Sequence, residues 1–357
     1  MTNPGDLIFL WYNRHHRALP WRETNDPYHV WVSEVILQQT RVEQGLGYYQ
    51  RFIHLFPDIQ TLAEADTDQV LRAWQGLGYY RRALNLQRAA RIVTENLEGV
   101  LPLSWTELRK LPGIGDYTAS AIASICAGER RPAIDGNVKR VIARLHNLHL
   151  NLDSRAGLEL VRTLVLELME GKDPGLMNNA LMEFGALQCT PRSPGCISCP
   201  LHEHCLALRA GTVELLPLKQ ERKEIRKRHF FYYVFTWDEN DSLHMLVRKR
   251  GYDDIWAGMY EFPCIETVDS EFNHDLFRPA TEPWCEVPEG TPVMSRDEPY
   301  RHQLTHQLIV ARFFHFPLPA APAWHHPDLI RVSRTEIAAL AKPKLILKYL
   351  GDSFPGL

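Results

Sequence analysis

Four cysteines near the middle of the chain, Cys189, Cys196, Cys199 and Cys205, sit in the stretch CTPRSPGCISCPLHEHC with gaps of six, two and five residues. A loop of this compactness can wrap four thiolates around one inorganic centre. The candidates are a [4Fe-4S] cluster, a tetrahedral zinc ion or two disulfides. Zinc loops usually bring two Cys-x2-Cys pairs, and here there is one. The opening MTNPGDLIFLWYN is acidic and aromatic rather than basic and then apolar, so a reducing cytoplasmic setting is expected and disulfides are disfavoured. Cys126, Cys264 and Cys285 are scattered and read as small buried hydrophobes.

Two carboxylates are candidates for acid–base work. Glu34 lies in WVSEVILQQT among Val32, Val35, Ile36 and Leu37. It either points out of an amphipathic helix or sits in an apolar pocket that raises its pKa. Asp135, in AIDGNVKRVIARL, immediately precedes a helix and reads as its N-cap, a role compatible with catalysis. The segment LPGIG, residues 111–115, joins two helical pieces as a tight glycine hairpin. It is either an ordinary turn between two helices or an anion site, in which Gly113 and Gly115 let a phosphate approach backbone N–H groups at the head of the next helix.

The elements that must position these groups are helical up to about residue 210. Residues 28–55 carry apolar side chains at helical spacing with a break expected near Gly45 to Gly47, and residues 61–97, 105–111, 117–128 and 136–148 follow as amphipathic helices. Residues 217–229 form a basic linker with Lys219, Arg222, Lys223, Arg226, Lys227 and Arg228, read either as a phosphate contact or as a solvated connector. Beyond it, FFYYVFTW, LHMLVRKR and QLIVARFFHF alternate as strands, Ser333 and Glu336 form a capping box before a helix, and KPKLILKYL closes as another. This second half is α+β, with an antiparallel sheet expected.

With 357 residues the chain has room for two cores, and a formal net charge of -3 excludes wholesale electrostatic binding of nucleic acid, so any DNA contact must be focused. No apolar run approaches the length of a membrane helix, and no membrane association is expected.

Taken together, PWRETNDPYHVWVSEVILQQTRVEQ, GLGYYRRALNL, LPGIGDYTASAIAS, AIDGNVKRV, NNALMEFGALQCTPRSPGC and the cysteine spacing resemble a MutY-type adenine DNA glycosylase. The resemblance spans most of residues 20–205 in order. It implies a multidomain chain: an all-α helix-hairpin-helix glycosylase domain over 1–216, with a [4Fe-4S] loop at 189–205; the linker 217–229; and an α+β Nudix-like 8-oxoguanine recognition domain over 230–357. It implies a base-excision repair enzyme that removes adenine mispaired with 8-oxoguanine or guanine, binds duplex DNA as a monomer, and resides in the cytoplasm, at the nucleoid if the source is bacterial.

Residue by residue, the resemblance makes Glu34 the acid that protonates N7 of a flipped adenine, and Asp135 the carboxylate that stabilises the oxocarbenium-like sugar. Asn137 orients Asp135, and Tyr117 packs on the site. Trp21, Arg22, Leu37 and Glu183 line the adenine pocket. Gln39 and Thr40, with Leu77 and Tyr79, fill the gap left by base flipping, although GLGYY would also suit core packing. Endonuclease III carries a Schiff-base lysine just after the hairpin; Tyr117 is close to that position and no lysine is present, so a monofunctional glycosylase is implied. After IWAGMYEFP the glutamate-rich helix of a Nudix hydrolase is missing, which leaves a reading role. The family's Phe-Ser-His loop tip appears as Leu304, Thr305 and His306. The rival readings are an endonuclease III-like enzyme acting on oxidised pyrimidines and a non-catalytic iron-sulfur DNA-binding protein. The missing lysine opposes the first, and the joint presence of Glu34, Asp135, Asn137 and Tyr117 opposes the second.

Overall fold

In a computed structural model the described residues are 3–218, 225–267 and 281–355. They contain the helices α1 (Pro4–His15), α2 (Pro27–Leu37), α3 (Val42–Leu55), α4 (Ile59–Glu64), α5 (Thr67–Ala73), α6 (Arg81–Asn96) and α7 (Trp105–Leu108). These are followed by α8 (Asp116–Ala127), α9 (Gly136–Leu145), α10 (Arg155–Leu168), α11 (Pro174–Leu187), α12 (Leu206–Ala210), α13 (Arg334–Ala339) and α14 (Lys344–Ser353). The strands are β1 (Arg226–Glu239), β2 (Ser242–Lys249), β3 (Tyr260–Glu261), β4 (Cys264–Thr267), β5 (Met294–Ser295), β6 (Tyr300–Gln303), β7 (Gln307–Pro317) and β8 (Leu329–Ser333). The chain divides into two compact units, Met1–Glu64 with Asn85–Glu221, and Ala65–Leu84 with Arg222–Leu357.

The first unit is all-α. Side-chain oxygens cap its helices where the sequence offers Asn, Asp or Ser: Asn3 for α1, Asp26 for α2, Asp135 for α9, Ser154 for α10 and Asp173 for α11. Its core gathers Ile8, Trp11, Val138, Ile142, Val161, Leu181 and Phe184 from α1, α9, α10 and α11. Helix α2 is apolar on nearly every side, and Tyr28 and every residue from Val30 to Ile36 are buried.

The break expected at Gly45 to Gly47 falls earlier. Residues 38–41 separate α2 from α3, Gln39 has φ 58°, and both glycines lie inside α3. Gly45 is there for space, because a Cβ at that position would come within 2.8 Å of Leu37 Cδ2. The 61–97 stretch likewise divides into α4, α5 and α6. Its second break spans Gly76 (φ 100°), Gly78 (φ 74°) and Tyr79 (φ 50°).

In the second unit β1 is central, flanked by β2 and β7, in the order β3-β2-β1-β7-β5. The sheet is mixed rather than wholly antiparallel, because β1 and β7 run parallel from Arg226↔Gln307 to Thr236↔Pro317. Both faces of β1 are covered. Phe231, Tyr233, Phe235 and Trp237 face one core with Phe314 and Phe316, and Tyr232 stacks on Phe313, which stacks in turn on Tyr349 of α14 at 4.0 Å. This double burial explains the nearly unbroken apolar run of β1. The capping box of Ser333 and Glu336 forms as expected.

The basic stretch does not end in a connector. Arg226, Lys227 and Arg228 are the first residues of β1, while Lys219, Arg222 and Lys223 lie outside the described residues. Arg228 is buried, with Asp254 and Glu266 each within 2.6 Å of its guanidinium. Two carboxylates neutralise it, which removes it from any phosphate contact.

Candidate active site and cysteine loop

Glu34 is the eighth residue of α2 and is 8% exposed. A glutamate on a helix that is apolar all round cannot reach water, so the outward-pointing alternative is settled in favour of the pocket. Burial pushes its carboxyl up to about 7, a nearby Tyr117 hydroxyl lowers it, and the charges of Asp135 and Arg22 act in opposite senses. The group therefore holds its proton near neutrality.

Asp135 caps α9. Its carboxylate accepts from Val138 N at 2.7 Å and from Asn137 Nδ2 at 2.7 Å. Burial raises its pKa, while these donors and the charge of Arg140 pull it back towards the ionised form. Two carboxyls of the same unit thus sit in different environments, one starved of donors and one supplied with them.

The pose of Asp135 is held from behind. Arg140 Nη2 donates to Asn137 Oδ1 at 2.8 Å and to Gly185 O at 2.7 Å, while its Nε donates to Cys189 O at 2.8 Å. Gly185 must lack a side chain, since a Cβ would come 2.6 Å from Asn137 Cβ. One guanidinium therefore ties the carboxylate's orienting residue to the first cysteine of the loop. Sequence reading missed Arg140, although its spacing of three from Asn137 on a helix was a legible signal.

Glu183 is 1% exposed. Although burial opposes ionisation, hydrogen bonds from Arg17 and Arg22 hold its carboxyl down at about 2. Arg17 supplies its backbone N–H, Nε and Nη2 at 2.8 to 2.9 Å, and Arg22 Nη2 adds a bond at 2.8 Å. Arg17 was also missed; it precedes the LPWR run and carries no motif of its own. Arg22 Nε is buried and finds no protein acceptor, a donor available to something else in the pocket. Trp21 packs edge-on against Tyr49 at 5.0 Å, and Leu37 lies under Gly45.

The hairpin is built as expected. Gly113 has φ 78° and a Cβ there would come 2.7 Å from Asn85 Cβ. Gly115 heads α8 with no side-chain cap, so the amides of the first turn stay open to an anion.

In the second unit, Tyr79 is 46% exposed and its hydroxyl is hydrogen-bonded to Thr305 Oγ1. Thr305 and His306 are exposed and Leu304 half-buried in the β6–β7 turn, which Leu304 N closes onto Gln307 O at 2.8 Å. Leu77, only 9% exposed, is packed away, the core-packing alternative. The segment carrying Tyr79 is anchored to the sheet by Asp68, which accepts from Lys249 Nζ at 2.6 Å and Tyr260 Oη at 2.9 Å, and by Arg81 Nη2 on Tyr252 O at 3.0 Å. The stretch that would have to supply a Nudix glutamate cluster, 268–280, lies outside the described residues.

All seven cysteines are free thiols, and Cys189, Cys196, Cys199 and Cys205 line one pocket with Val141, Leu145, Phe184 and Leu201. Arg144 Nη1 points at Cys189 Sγ from 3.4 Å and also binds Thr190 O at 2.7 Å. Burial pushes the Cys199 thiol up to about 12. Such thiols ionise only against a positive centre. Around one zinc ion the sulfurs would have to sit about 2.3 Å from a common point. Four thiols facing a shared, mostly apolar pocket suit an iron-sulfur group. The donor set fits.

Among the described residues no helix is long and apolar enough to cross a membrane. Residues 32–162 match the HhH-GPD superfamily of base excision DNA repair proteins, and residues 232–352 match the NUDIX domain. A helical unit with a glycine hairpin and a buried carboxyl, in a chain that also carries a Nudix-type sheet, defines a DNA glycosylase of base excision repair. The solved structure of a thermostable thymine-DNA glycosylase agrees, with a TM-score of 0.53 at 28% identity over 58% of this chain and 95% of that one. An endonuclease III–DNA complex shares the fold, with a TM-score of 0.51 at 22% identity. The chain is 34% identical to an adenine DNA glycosylase of Buchnera aphidicola subsp. Schizaphis graminum, over 74% of this chain and 75% of that protein. It is 40% identical to an adenine DNA glycosylase of Mus musculus, over 88% and 71% respectively. The chain belongs to the adenine DNA glycosylase family.

Proposed function

We propose that this enzyme removes adenine mispaired with 8-oxoguanine or guanine from duplex DNA, as a monofunctional glycosylase. The observation that carries the reading is the pair of carboxyls, Glu34 buried and held near pKa 7 and Asp135 half-buried and furnished with donors. An acid that keeps its proton near neutrality protonates N7 of the extruded base, and an ionised neighbour balances the cationic sugar as the N-glycosidic bond breaks. Water then completes hydrolysis. Tyr117, near where endonuclease III has its lysine, forms no Schiff base, so strand scission needs later alkali.

Trp21, Arg22, Leu37 and Glu183 would line the adenine pocket, with Glu183 locked as an anion by its arginines. Gln39 and Thr40 lie in the turn between α2 and α3, and Gln39 is held left-handed, as is Tyr79. Residues kept in such conformations are frequent where a backbone serves a ligand, which supports their reading as wedges. Gly113 and Gly115 would take a phosphate. Thr305 with Tyr79, flanked by Leu304 and His306, would read the base opposite, and the aliphatic Leu304 in place of an aromatic narrows the preference for 8-oxoguanine over guanine. Cys189, Cys196, Cys199 and Cys205 would hold a [4Fe-4S] cluster, whose part is structural here, stapling the loop that Arg140 ties to Asn137. The protein is proposed to act as a monomer in the cytoplasm.

The test is single-turnover cleavage of duplexes with adenine opposite 8-oxoguanine, guanine or thymine. Alkali-dependent breaks opposite the two purines, and none opposite thymine, are expected. Breaks without alkali, or activity only on oxidised pyrimidines, would refute the proposal.

A further inference from the structure

We infer that Asp68 is a positioning residue for reading the base opposite adenine: its carboxylate holds α5 on the sheet and so sets where Tyr79 stands beside Thr305. The inference rests on the reading role proposed for Tyr79 and Thr305. Chain order alone would assign residues 65–84 to the helices before and after them. They cluster instead with Arg222–Leu357, so the segment that carries Tyr79 belongs to the same compact unit as the turn that carries Thr305. Something must hold so short a helix there.

Asp68 does so with both carboxylate oxygens. Oδ1 accepts from Lys249 Nζ of β2 at 2.6 Å, and Oδ2 accepts from Tyr260 Oη of β3 at 2.9 Å. Lys249 and Tyr260 are cross-strand partners, and the ammonium lies 5.2 Å from the Tyr260 ring. A carboxylate bound to two neighbouring strands fixes the helix in two directions, where a single bond would leave a pivot. Helix α5 presents the group firmly, because Asp66 caps its first turn by accepting from Asp68 N at 2.8 Å. The Asp68 and Lys249 side chains are 24% and 37% exposed, so water screens the pair only in part. Close by, Leu71 is fully buried against the backbone of Gly258, where a Cβ would come within 3.3 Å of Leu71 Cδ1.

Stiff parts carry this placement on to Tyr79. Trp74, at the end of α5, is fully buried, and its Nε1 donates to Gly78 O at 3.1 Å. Arg82 Nη2 donates to the same oxygen at 3.2 Å, and Gly76 N donates to Tyr80 Oη at 3.1 Å. These bonds close the turn on both sides of Tyr79. A shift of α5 is therefore felt at the Tyr79 hydroxyl, whose partner Thr305 stands at the end of β6 and β7. Asp68 acts on the base opposite only through Tyr79.

The experiment is single-turnover excision by the full-length enzyme from duplexes with adenine opposite 8-oxoguanine and opposite guanine, read as the ratio of the two rates. Asp68→Ala is expected to lower that ratio about fivefold, the scale of one partly shielded ion pair. Lys249→Met cuts the same pair from β2 and leaves α5 intact, so it should lower the ratio to the same degree, and it decides the matter where Asp68→Ala disturbs the fold. On a Tyr79→Ala background, which lacks the reading side chain, Asp68→Ala should change the ratio no further. A general loss of structure would lower both rates together and leave the ratio alone. A ratio that either variant leaves in place, or that Asp68→Ala lowers equally with and without Tyr79, overturns the inference. A ratio that Tyr79→Ala leaves at its wild-type value refutes instead the reading role beneath it.

Discussion

Glu34→Gln is expected to lose adenine excision by about 10²- to 10⁴-fold while binding the mispaired duplex with little change. The substitution preserves the shape of a buried side chain and replaces its transferable proton by an amide that cannot supply one. The loss falls on chemistry because the acid acts on the bond-breaking step, where N7 must carry positive charge if adenine is to leave. A filter-binding or anisotropy titration beside single-turnover kinetics separates the two effects. Joint loss of binding and excision would assign Glu34 a structural role. The protein should fold at least as well as wild type, since a neutral amide costs no more to bury than a carboxyl that is itself held near neutrality.

Asp135→Asn is expected to lose excision to a similar degree for a different reason. The carboxylate is the negative charge nearest the head of α9, and the amide leaves the cationic sugar without a counter-charge. The cap survives, because asparagine accepts from Val138 N as aspartate does. The second oxygen is where the change hurts. Asn137 Nδ2 donates to it at 2.7 Å, and an amide turned the same way presents a donor to a donor. A stability loss of about 1 kcal/mol should accompany the kinetic one. A thermal melt beside the rate measurement checks the pair of outcomes. Full activity in a folded Asp135→Asn protein would leave the residue as a cap only.

The elements that carry chemistry were legible in the sequence because local rules fix them. The cap at Asp135, the turn at Gly113 and the box at Ser333 each follow from one or two side chains and the backbone beside them. What escaped was set at longer range. The break after α2 depends on how Leu37 meets Gly45, not on glycine content. The parallel pairing of β1 with β7 joins residues about eighty positions apart, and alternation within either strand says nothing of its direction. Arg228 looked like part of a basic run and is neutralised by Asp254 and Glu266, which lie far along the chain. Arg17 and Arg140 belong to the site through contacts with Glu183 and Asn137. Only Arg140 sits at a spacing that local reasoning could have flagged.

The claim at the centre is that one buried carboxyl stays protonated near neutrality while its neighbour is ionised. The pH dependence of single-turnover excision by the wild-type enzyme reads it directly. Glu34 must carry its proton to act, and its pKa is raised by burial to about 7. The rate should therefore hold below that value and fall about tenfold per pH unit above it. A rate that stays flat or rises from about pH 6 to pH 9 would contradict the assignment of Glu34 as the acid.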